Sequence, residues 1–481
     1  MGLDTDTAAR HVDQVWDGDI LPVLHDYIRI PNVSVAYDAG WREAGHMVRA
    51  TELLHQWCER HVSDGLPGAT VEVHELDGRT PLLLIDVPPT DAGGSDTGEY
   101  ADAVILYGHL DKQPPFTGWR EGLGPWEPVR DGDRLYGRGS ADDGYSTFSA
   151  VAALEAVRAA GGAHRRCVVL IEASEESGSP DLPAHLEALG DKLGEPSLVI
   201  ALDSWCGDYD RLWITTSLRG LVDLTVEVQV LTEGVHSGSA GGVVPSSFRI
   251  LRHLLDRVED AASGELLLPQ LHTDIPDERL RQIAATAPEL GDFAARFPFV
   301  GDTQPMFATT EQMLVARTWR PSVEVTGMEG APPPAGAGNV LRPSTAVKLS
   351  VRIPPTADAD VAIDALERRL SADPPYGAQV TVRRGSAEAG WHAPPELPWL
   401  ARAINRASVA TFGHAPRSLG EGGTIPFMGM LGRRFPQAQF VVTGVLGPGS
   451  NAHGPNEFLH LPTARRVTTA VAHILDAHAR R

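Results

Sequence analysis

Short apolar runs separated by helical segments dominate the first 216 residues of the chain and return after residue 385. Cys167–Ile171 is one such run, within a predicted strand Cys167–Glu172, and a Gly/Ser loop, a helix and a second predicted strand, Ser197–Leu202, follow it. Runs of this length between helices indicate strands that are buried on both faces of a sheet. No run approaches the roughly 18 apolar residues that a membrane span needs. The pattern therefore predicts a layered α/β domain and no membrane segment.

Between residues 217 and 385 the pattern changes. Leu221–Leu231 alternates between apolar and polar residues, which indicates a half-buried strand. Residues 260–310 are polar and are expected to be irregular. The remaining predicted elements of this block are strands Ser322–Thr326, Ala346–Ile353 and Ala378–Arg383 and helices Ser246–Val258 and Ala357–Leu370. We therefore predict one α/β domain, residues 1–216 and 386–481, that is interrupted by an α+β insertion, residues 217–385.

The charge balance and the cysteines restrict the class of protein. Lys and Arg number 41 and Asp and Glu 63, so the formal net charge is 41 − 63 = −22. This balance argues against a nucleic-acid partner and against binding to an anionic membrane surface. The three cysteines, Cys58, Cys167 and Cys206, are widely spaced, which argues against a disulfide framework. With no apolar signal segment near the N-terminus, we expect a reduced, cytoplasmic protein.

Polar side chains capable of acid–base or metal chemistry are concentrated directly after predicted strands. Each group alone also fits an ordinary structural role: a buried structural histidine, a solvated turn, an acidic helix start or a surface histidine. The residues in question are His109 and Asp111, Asp142 and Asp143, Glu175 and Glu176, Asp203, and His453.

Together these side chains indicate a metal site. Strand ends meet at one edge of an α/β sheet, and two histidines with three or four carboxylates suit borderline divalent ions. The number of ligands suits two ions. Asp142, Asp203 and Glu176 would contribute −3 against +4 from two divalent ions, and Glu175 as a base would bring the site close to neutral.

Six motifs in order carry a family resemblance: GHLD, YGRGSADDG, EASEESGS, LDS, HSGSAGG and NAHGPNE. The chain resembles the dinuclear metallopeptidases that include carnosinase, aminoacylase and bacterial glutamate carboxypeptidase. It is most similar to their carnosinase and cytosolic non-specific dipeptidase branch. The resemblance implies a three-layer α/β zinc-peptidase catalytic domain that is interrupted by an inserted α+β lid, which is also the dimerisation domain.

The resemblance also implies roles for the residues around the metals. His109 and Asp203 would hold one ion, Glu176 and His453 the other, and Asp142 would bridge both. Asp111 would orient His109, and Glu175 would be the general base. The peptide bond between Asp142 and Asp143 is expected to be cis. Zn²⁺ is the expected metal, with Mn²⁺ or Co²⁺ as alternatives.

Further roles fall in or near the insertion. His236, from the lid of a partner subunit, would stabilise the oxyanion, so the resemblance implies a homodimer. Arg352 and Asn339 would bind the substrate carboxylate, since an Arg fork suits that group. Gly423 and Thr424, in the segment EGGTIP, would line the substrate cleft.

Four residues depart from the family pattern: Lys112, Gly144, Trp205 and Arg342. No predicted ligand is lost, so we expect catalysis to survive. We place all four departures near the rim of the pocket, where they would affect the choice of substrate.

The predicted function is metal-dependent hydrolysis of dipeptides or short peptides with a free C-terminal carboxylate, by a metal-bridging hydroxide with Glu175 as general base. One alternative is an amidohydrolase that acts on N-acyl amino acids or on a specialised metabolite amide. Another is a non-catalytic descendant that binds peptides. The presence of Glu175 and of all five ligands argues against that last alternative.

Overall fold

The structure is a computed structural model that describes residues 2–90 and 101–481. The chain divides into two compact units. The first comprises residues up to Thr216 together with Ala393–Leu419 and Met430–Arg481. The second comprises Ser217–His392 and Gly420–Gly429. We retain as a proposal that the second unit is a lid and dimerisation domain.

Within the described residues, the first unit begins with six α-helices and seven strands in a mixed order. The helices are α1 (Thr5–Val15), α2 (Leu21–Ile28), α3 (Trp41–Ala44), α4 (His46–Gly65), α5 (Ser146–Ala159) and α6 (Leu182–Leu189). The strands are β1 (Thr70–His74), β2 (Leu82–Val87), β3 (Ala101–His109), β4 (Val129–Asp131), β5 (Arg134–Tyr136), β6 (Cys167–Glu172) and β7 (Glu195–Ala201).

Strand β8 (Trp213–Leu218) passes into the second unit, whose elements then follow in chain order. Its strands are β9 (Gly220–Gln229), β10 (Val235–His236), β11 (Glu259–Asp260), β12 (Glu265–Leu266), β13 (Ser322–Glu329), β14 (Val340–Leu341), β15 (Ser344–Ile353), β16 (Gln379–Glu388) and β17 (Trp391–His392). Its helices are α7 (Ser237–Ala240), α8 (Ser247–Leu255), α9 (Asp277–Leu290), α10 (Thr310–Trp319) and α11 (Ala359–Ser371).

The remaining elements lead back through the first unit to its last helix. They are α12 (Pro398–Phe412), β18 (Arg417–Glu421), α13 (Pro426–Arg434), β19 (Gln439–Val442), β20 (Phe458–His460) and α14 (Leu461–Ala479).

The central sheet of the first unit has the strand order β1-β2-β6-β3-β7-β19. Strands β6, β3, β7 and β19 are parallel, whereas β1 and β2 pair antiparallel at one edge. Every residue of β6 is buried, as expected for a strand covered on both faces. The α/β fold class predicted from the apolar runs is confirmed. Because β3, β6 and β7 are parallel, the residues that follow them emerge at the same edge of the sheet.

The second unit contains an antiparallel sheet in the order β13-β15-β9-β16. Burial alternates along β9, and its apolar residues Val222, Leu224, Val226 and Val228 are all buried. They form one core with apolar residues of α8 and α11. The alternation therefore places one face of this strand in a core, as period-2 patterning predicts.

The prediction that residues 260–310 are irregular is wrong. This stretch contains all of α9, and α10 begins at its end. Ile283, Ala287 and Leu290 are buried and follow helical spacing, so one face of α9 packs inward. Polar residues on its other faces, together with Pro288 in its last turn, conceal this periodicity in the sequence.

The placement of all four family departures at a pocket rim is also wrong, because Lys112 and Gly144 lie in the interior. Lys112 is fully buried and its Nζ donates to the carbonyl oxygens of Tyr27 at 2.7 Å and Ile30 at 2.8 Å. A Cβ at Gly144 would approach the Tyr27 ring to 2.2 Å. Both departures therefore concern packing against the end of α2.

Two further sequence expectations concern cysteines and membrane spans. Cys58, Cys167 and Cys206 are buried, and none of these three described residues forms a disulfide bond. Among the helices described, none combines the length and the apolar character that crossing a bilayer requires.

Candidate metal centre

His109 stands at the end of β3, in the interior of the first unit. The side chains of His109 and Asp111 are both fully buried. The His109 Nδ1 lies 3.1 Å from the Asp111 carbonyl oxygen and 3.4 Å from its carboxylate. A proton on Nδ1 therefore has two acceptors, which leaves the Nε2 lone pair free for a metal.

Asp111 also fixes the position of the next acidic pair. Its two carboxylate oxygens accept the backbone N–H groups of Glu175 and Glu176, each at 3.0 Å. Glu175–Ser177 forms a 3₁₀ turn. Successive N–H groups of an extended strand point in opposite directions, whereas in a turn both can reach one carboxylate.

Asp142 lies between the two histidines. Its Oδ1 is 3.4 Å from His109 Nε2 and its Oδ2 is 3.0 Å from His453 Nε2. The Asp142–Asp143 peptide bond is cis, as expected. Each oxygen of one carboxylate thus faces a different imidazole, which is the arrangement required of a ligand that bridges two ions.

The remaining carboxylates extend the arrangement on either side of Asp142. Asp203 Oδ2 lies 3.7 Å from His109 Nε2, and Glu176 Oε2 lies 3.2 Å from His453 Nε2. The structure therefore brings all five predicted ligands together, with Glu175 Oε2 4.0 Å from His109 Nε2. His453 is the most exposed member, at 57% of its side chain.

The donor set fits divalent metal ions. Two groups, His109–Asp142–Glu176 and His109–Glu175–Asp203, each offer ligand atoms within 4.8 Å of one another. Ligands about 2.0–2.1 Å from a tetrahedral Zn²⁺ lie about 3.3 Å apart, close to the separations around Asp142. His109 Nε2 and Glu176 Oε1 are buried and make no hydrogen bond within the described residues. Buried polar atoms of this kind require a partner, and a cation satisfies both.

The closely spaced carboxylates shift the pKa values of other groups in the site. Burial and the Asp203 carboxylate raise the pKa of Glu175 well above its usual value. Burial lowers the pKa of His453, but Asp142 and Glu176 outweigh it and raise that pKa to about 12. A concentration of negative charge that holds protons so tightly also favours cations.

Five predicted residues lie in the second unit. Arg352 Nη1 donates to Thr424 Oγ1 at 2.9 Å, and this hydroxyl donates to the Arg219 carbonyl oxygen at 2.6 Å. A Cβ at Gly423 would meet nothing within 4 Å. The structure therefore brings Arg352 and Thr424 together beside an open position of the EGGTIP loop.

His236 and Asn339 also lie close together in this unit. Both are exposed, and the N–H of Ser237 donates to the Asn339 carbonyl oxygen at 2.9 Å. His236 pairs with Val340 in the two-stranded sheet of β10 and β14. An exposed histidine at this position is accessible to groups outside its own unit.

Residues 105–477 match the profile of Peptidase family M20/M25/M40. The chain belongs to this peptidase family. It is 28% identical over 404 residues to the cysteinylglycine-S-conjugate dipeptidase of Corynebacterium striatum, covering 81% of this chain and 84% of that protein. It is 26% identical over 368 residues to the human Beta-Ala-His dipeptidase, covering 72% and 69% respectively. The crystal structure of human carnosine dipeptidase 1 has the same fold, with a TM-score of 0.76, 23% identity and 99% of both chains covered.

These similarities confirm the resemblance that the six motifs carried. This member of the family is a metallopeptidase, a hydrolase of peptide bonds. A further residue of its site was missed from the sequence: Gln113 is buried, and its Nε2 donates to Glu176 Oε2 at 2.7 Å. The only signal was its place four residues after His109, and a glutamine has many other uses in a loop.

Proposed function

We propose that this peptidase hydrolyses dipeptides, and short peptides with a free C-terminal carboxylate, at a centre of two divalent metal ions. The observation that carries the proposal is the position of Asp142, whose two oxygens face His109 and His453. The dipeptidase names of relatives with comparable coverage support this substrate class.

His109 and Asp203 would hold one ion, Glu176 and His453 the other, and Asp142 both. Two ions in such a site lower the pKa of a bound water and polarise the carbonyl of the scissile bond. We propose Zn²⁺, because two imidazoles with carboxylates suit it; Mn²⁺ and Co²⁺ fit the same donors.

Glu175 would act as the general base. It would accept a proton from the attacking water and deliver it to the leaving amine, so that one carboxylate serves both steps. Its backbone N–H is fixed by Asp111, and burial with the Asp203 charge raises its pKa. A carboxylate with a raised pKa is a stronger base than one in water.

The second unit would bind the other end of the substrate. We propose that Arg352, positioned by Thr424, binds the terminal carboxylate, with Asn339 and the open backbone at Gly423 completing the subsite. His236 would donate to the oxyanion, supplied by the partner subunit of a homodimer. The three buried cysteines, which form no disulfide bond within the described residues, support a cytoplasmic location.

A substrate panel tests this function. The purified protein, loaded with Zn²⁺ or Mn²⁺, is assayed with dipeptides, the same dipeptides amidated at the C-terminus, and N-acyl amino acids. We expect free dipeptides to be cleaved, amidated ones to lose at least tenfold in kcat/KM, and a chelator to abolish turnover. Preferential cleavage of N-acyl amino acids would establish a deacylase instead. Binding without turnover in every case would overturn the proposal.

A further inference from the structure

Glu457, which the proposed mechanism does not use, receives an unusual number of hydrogen bonds for a buried carboxylate. It is fully buried, and four N–H donors reach it. Its Oε2 accepts Arg138 Nη1 at 2.7 Å and the N–H of Gly139 at 3.1 Å. Its Oε1 accepts the N–H groups of Ala141 at 3.1 Å and Asp142 at 3.2 Å. The carboxylate therefore holds the backbone of the turn that ends in Asp142.

Hydrogen bonds from Arg138 connect the turn that ends in Asp142 to the loop that carries His453. Its Nη1 donates to Glu457 and its Nη2 donates to the Gly454 carbonyl oxygen at 2.7 Å. Arg138 and Glu457 are 319 residues apart in sequence. Arg138 lies four residues before Asp142, and Glu457 four residues after His453. The pair thus connects two loops, each of which carries one proposed metal ligand.

The His453 loop has a backbone that needs such support. Asn451, His453 and Asn456 have positive φ angles of 55°, 62° and 63°. Non-glycine residues in this region cost roughly 1 kcal/mol or more each and persist only where the surroundings impose them. One hydrogen bond that supports this loop is donated by the N–H of Arg120 to Asn456 Oδ1 at 2.8 Å. Arg138 supplies a second hydrogen bond at Gly454, the residue after His453.

We propose that Glu457 and Arg138 are positioning residues that set the separation of Asp142 from His453 and thereby the retention of the ion that those two ligands share. This inference rests on the proposed two-metal function. Neither side chain is a proposed ligand: both oxygens of Glu457 and both Nη atoms of Arg138 make hydrogen bonds to the loops. Without the carboxylate, three N–H groups of the Asp142 turn lose their acceptor and the turn is free to move away from His453.

Metal retention in Glu457→Gln and Arg138→Lys tests the proposal. A glutamine of the same size offers one acceptor oxygen in place of two. A lysine keeps the charge but lacks the planar fork that reaches Glu457 and Gly454 together. The control is Glu155→Gln, a buried carboxylate that pairs with His61 at 2.9 Å and contacts neither loop. The readouts are Zn²⁺ stoichiometry and affinity by competition with a fluorescent chelator, and amide hydrogen exchange across residues 137–142.

We expect wild type and Glu155→Gln to hold two ions. Both loop variants should lose at least tenfold in affinity for the ion that Asp142 and His453 share, and exchange their 137–142 amides faster. Wild-type affinity for both ions in Glu457→Gln and Arg138→Lys would overturn the inference, even if both variants melted at a lower temperature. Failure of wild-type protein to hold two ions would instead count against the proposed function. If Glu457→Gln does not fold, Arg138→Lys decides the outcome by itself.

Discussion

Arg352 Nη1 donates to the hydroxyl oxygen of Thr424 at 2.9 Å, and the Thr424 proton is already committed to the Arg219 carbonyl oxygen. Thr424 is therefore a support for the Arg352 fork. Its hydroxyl has no second proton to offer a substrate.

We predict that Thr424→Val raises KM for a free dipeptide about tenfold with little change in kcat, because a hydrogen bond to a charged group contributes about 1.5–3 kcal/mol. Thr424→Ser keeps the oxygen and should behave as wild type. Steady-state kinetics on both variants measure this. Equal KM values for the two variants would show that the hydroxyl is not needed.

Replacing Glu175 should separate catalysis from metal binding. We expect Glu175→Gln to lower kcat by about 10²–10⁴, the range for loss of a general base. The variant should still contain two ions per chain, since the five ligands are unchanged. Metal analysis and turnover are measured on the same preparation. Turnover at the wild-type rate would eliminate Glu175 as the base.

Asp111→Asn should weaken metal binding without removing a ligand. Asparagine presents one acceptor in place of two to the N–H groups of Glu175 and Glu176, and the 3.4 Å contact of the side chain with His109 Nδ1 loses its charge. Loss of such a supporting carboxylate costs about 10–100-fold in metal affinity. Excess metal should restore most of the activity. The matched control is Asp86→Asn, whose carboxylate pairs with Arg166; an equal loss there would contradict the assignment.

His164 should make folding less favourable at acid pH. Burial, followed by the charge of Arg158, lowers its pKa to about 4 from the ordinary 6.5. Below pH 6.5 the unfolded chain binds a proton that the folded protein does not bind. The contribution of neutral His164 to the free energy of unfolding is therefore complete above pH 6.5 and is lost as the pH falls toward 4.

Between pH 7 and 5 that loss is about 2 kcal/mol of unfolding free energy. His164→Gln should lack this part of the pH dependence, whereas the exposed His414→Gln should keep it. Urea unfolding at both pH values measures the change in the free energy of unfolding. Metal that is released at acid pH is lost from variant and wild type alike, so its effect cancels in the comparison. Parallel pH profiles for all three proteins would contradict the assignment.

Subunit mixing tests whether His236 acts on a partner. Glu175→Ala and His236→Ala are each expected to be nearly inactive. After dissociation and equal mixing, half of the dimers carry one chain of each kind, and activity should return to roughly a quarter of wild type. The control mixes Glu175→Ala with Glu175→Gln and should stay inactive. No recovery with a confirmed mixed dimer would place His236 in its own chain's site.

The sequence predicted more of the fold than of the site's geometry. Cys167–Glu172 was located to the residue, because a run of five apolar residues that ends in one acidic residue is a local property. Helix α9 was missed because its apolar face is short and its other faces are polar. Lys112 was assigned to a rim, since a lysine is rarely buried, and only the carbonyl groups at the end of α2 show what stabilises it there.

The sequence by itself determined which side chains could hold metal and at which strand ends they stand, because strand length and residue type are properties of short stretches of sequence. Only the tertiary structure decided that one oxygen of Asp142 faces His109 and the other His453. It alone placed Glu175 and Glu176 in a turn on the Asp111 carboxylate, and the Asp142 loop on Glu457. These relationships join residues far apart in the chain, and they depend on distances of about 3 Å that no spacing along the sequence can specify.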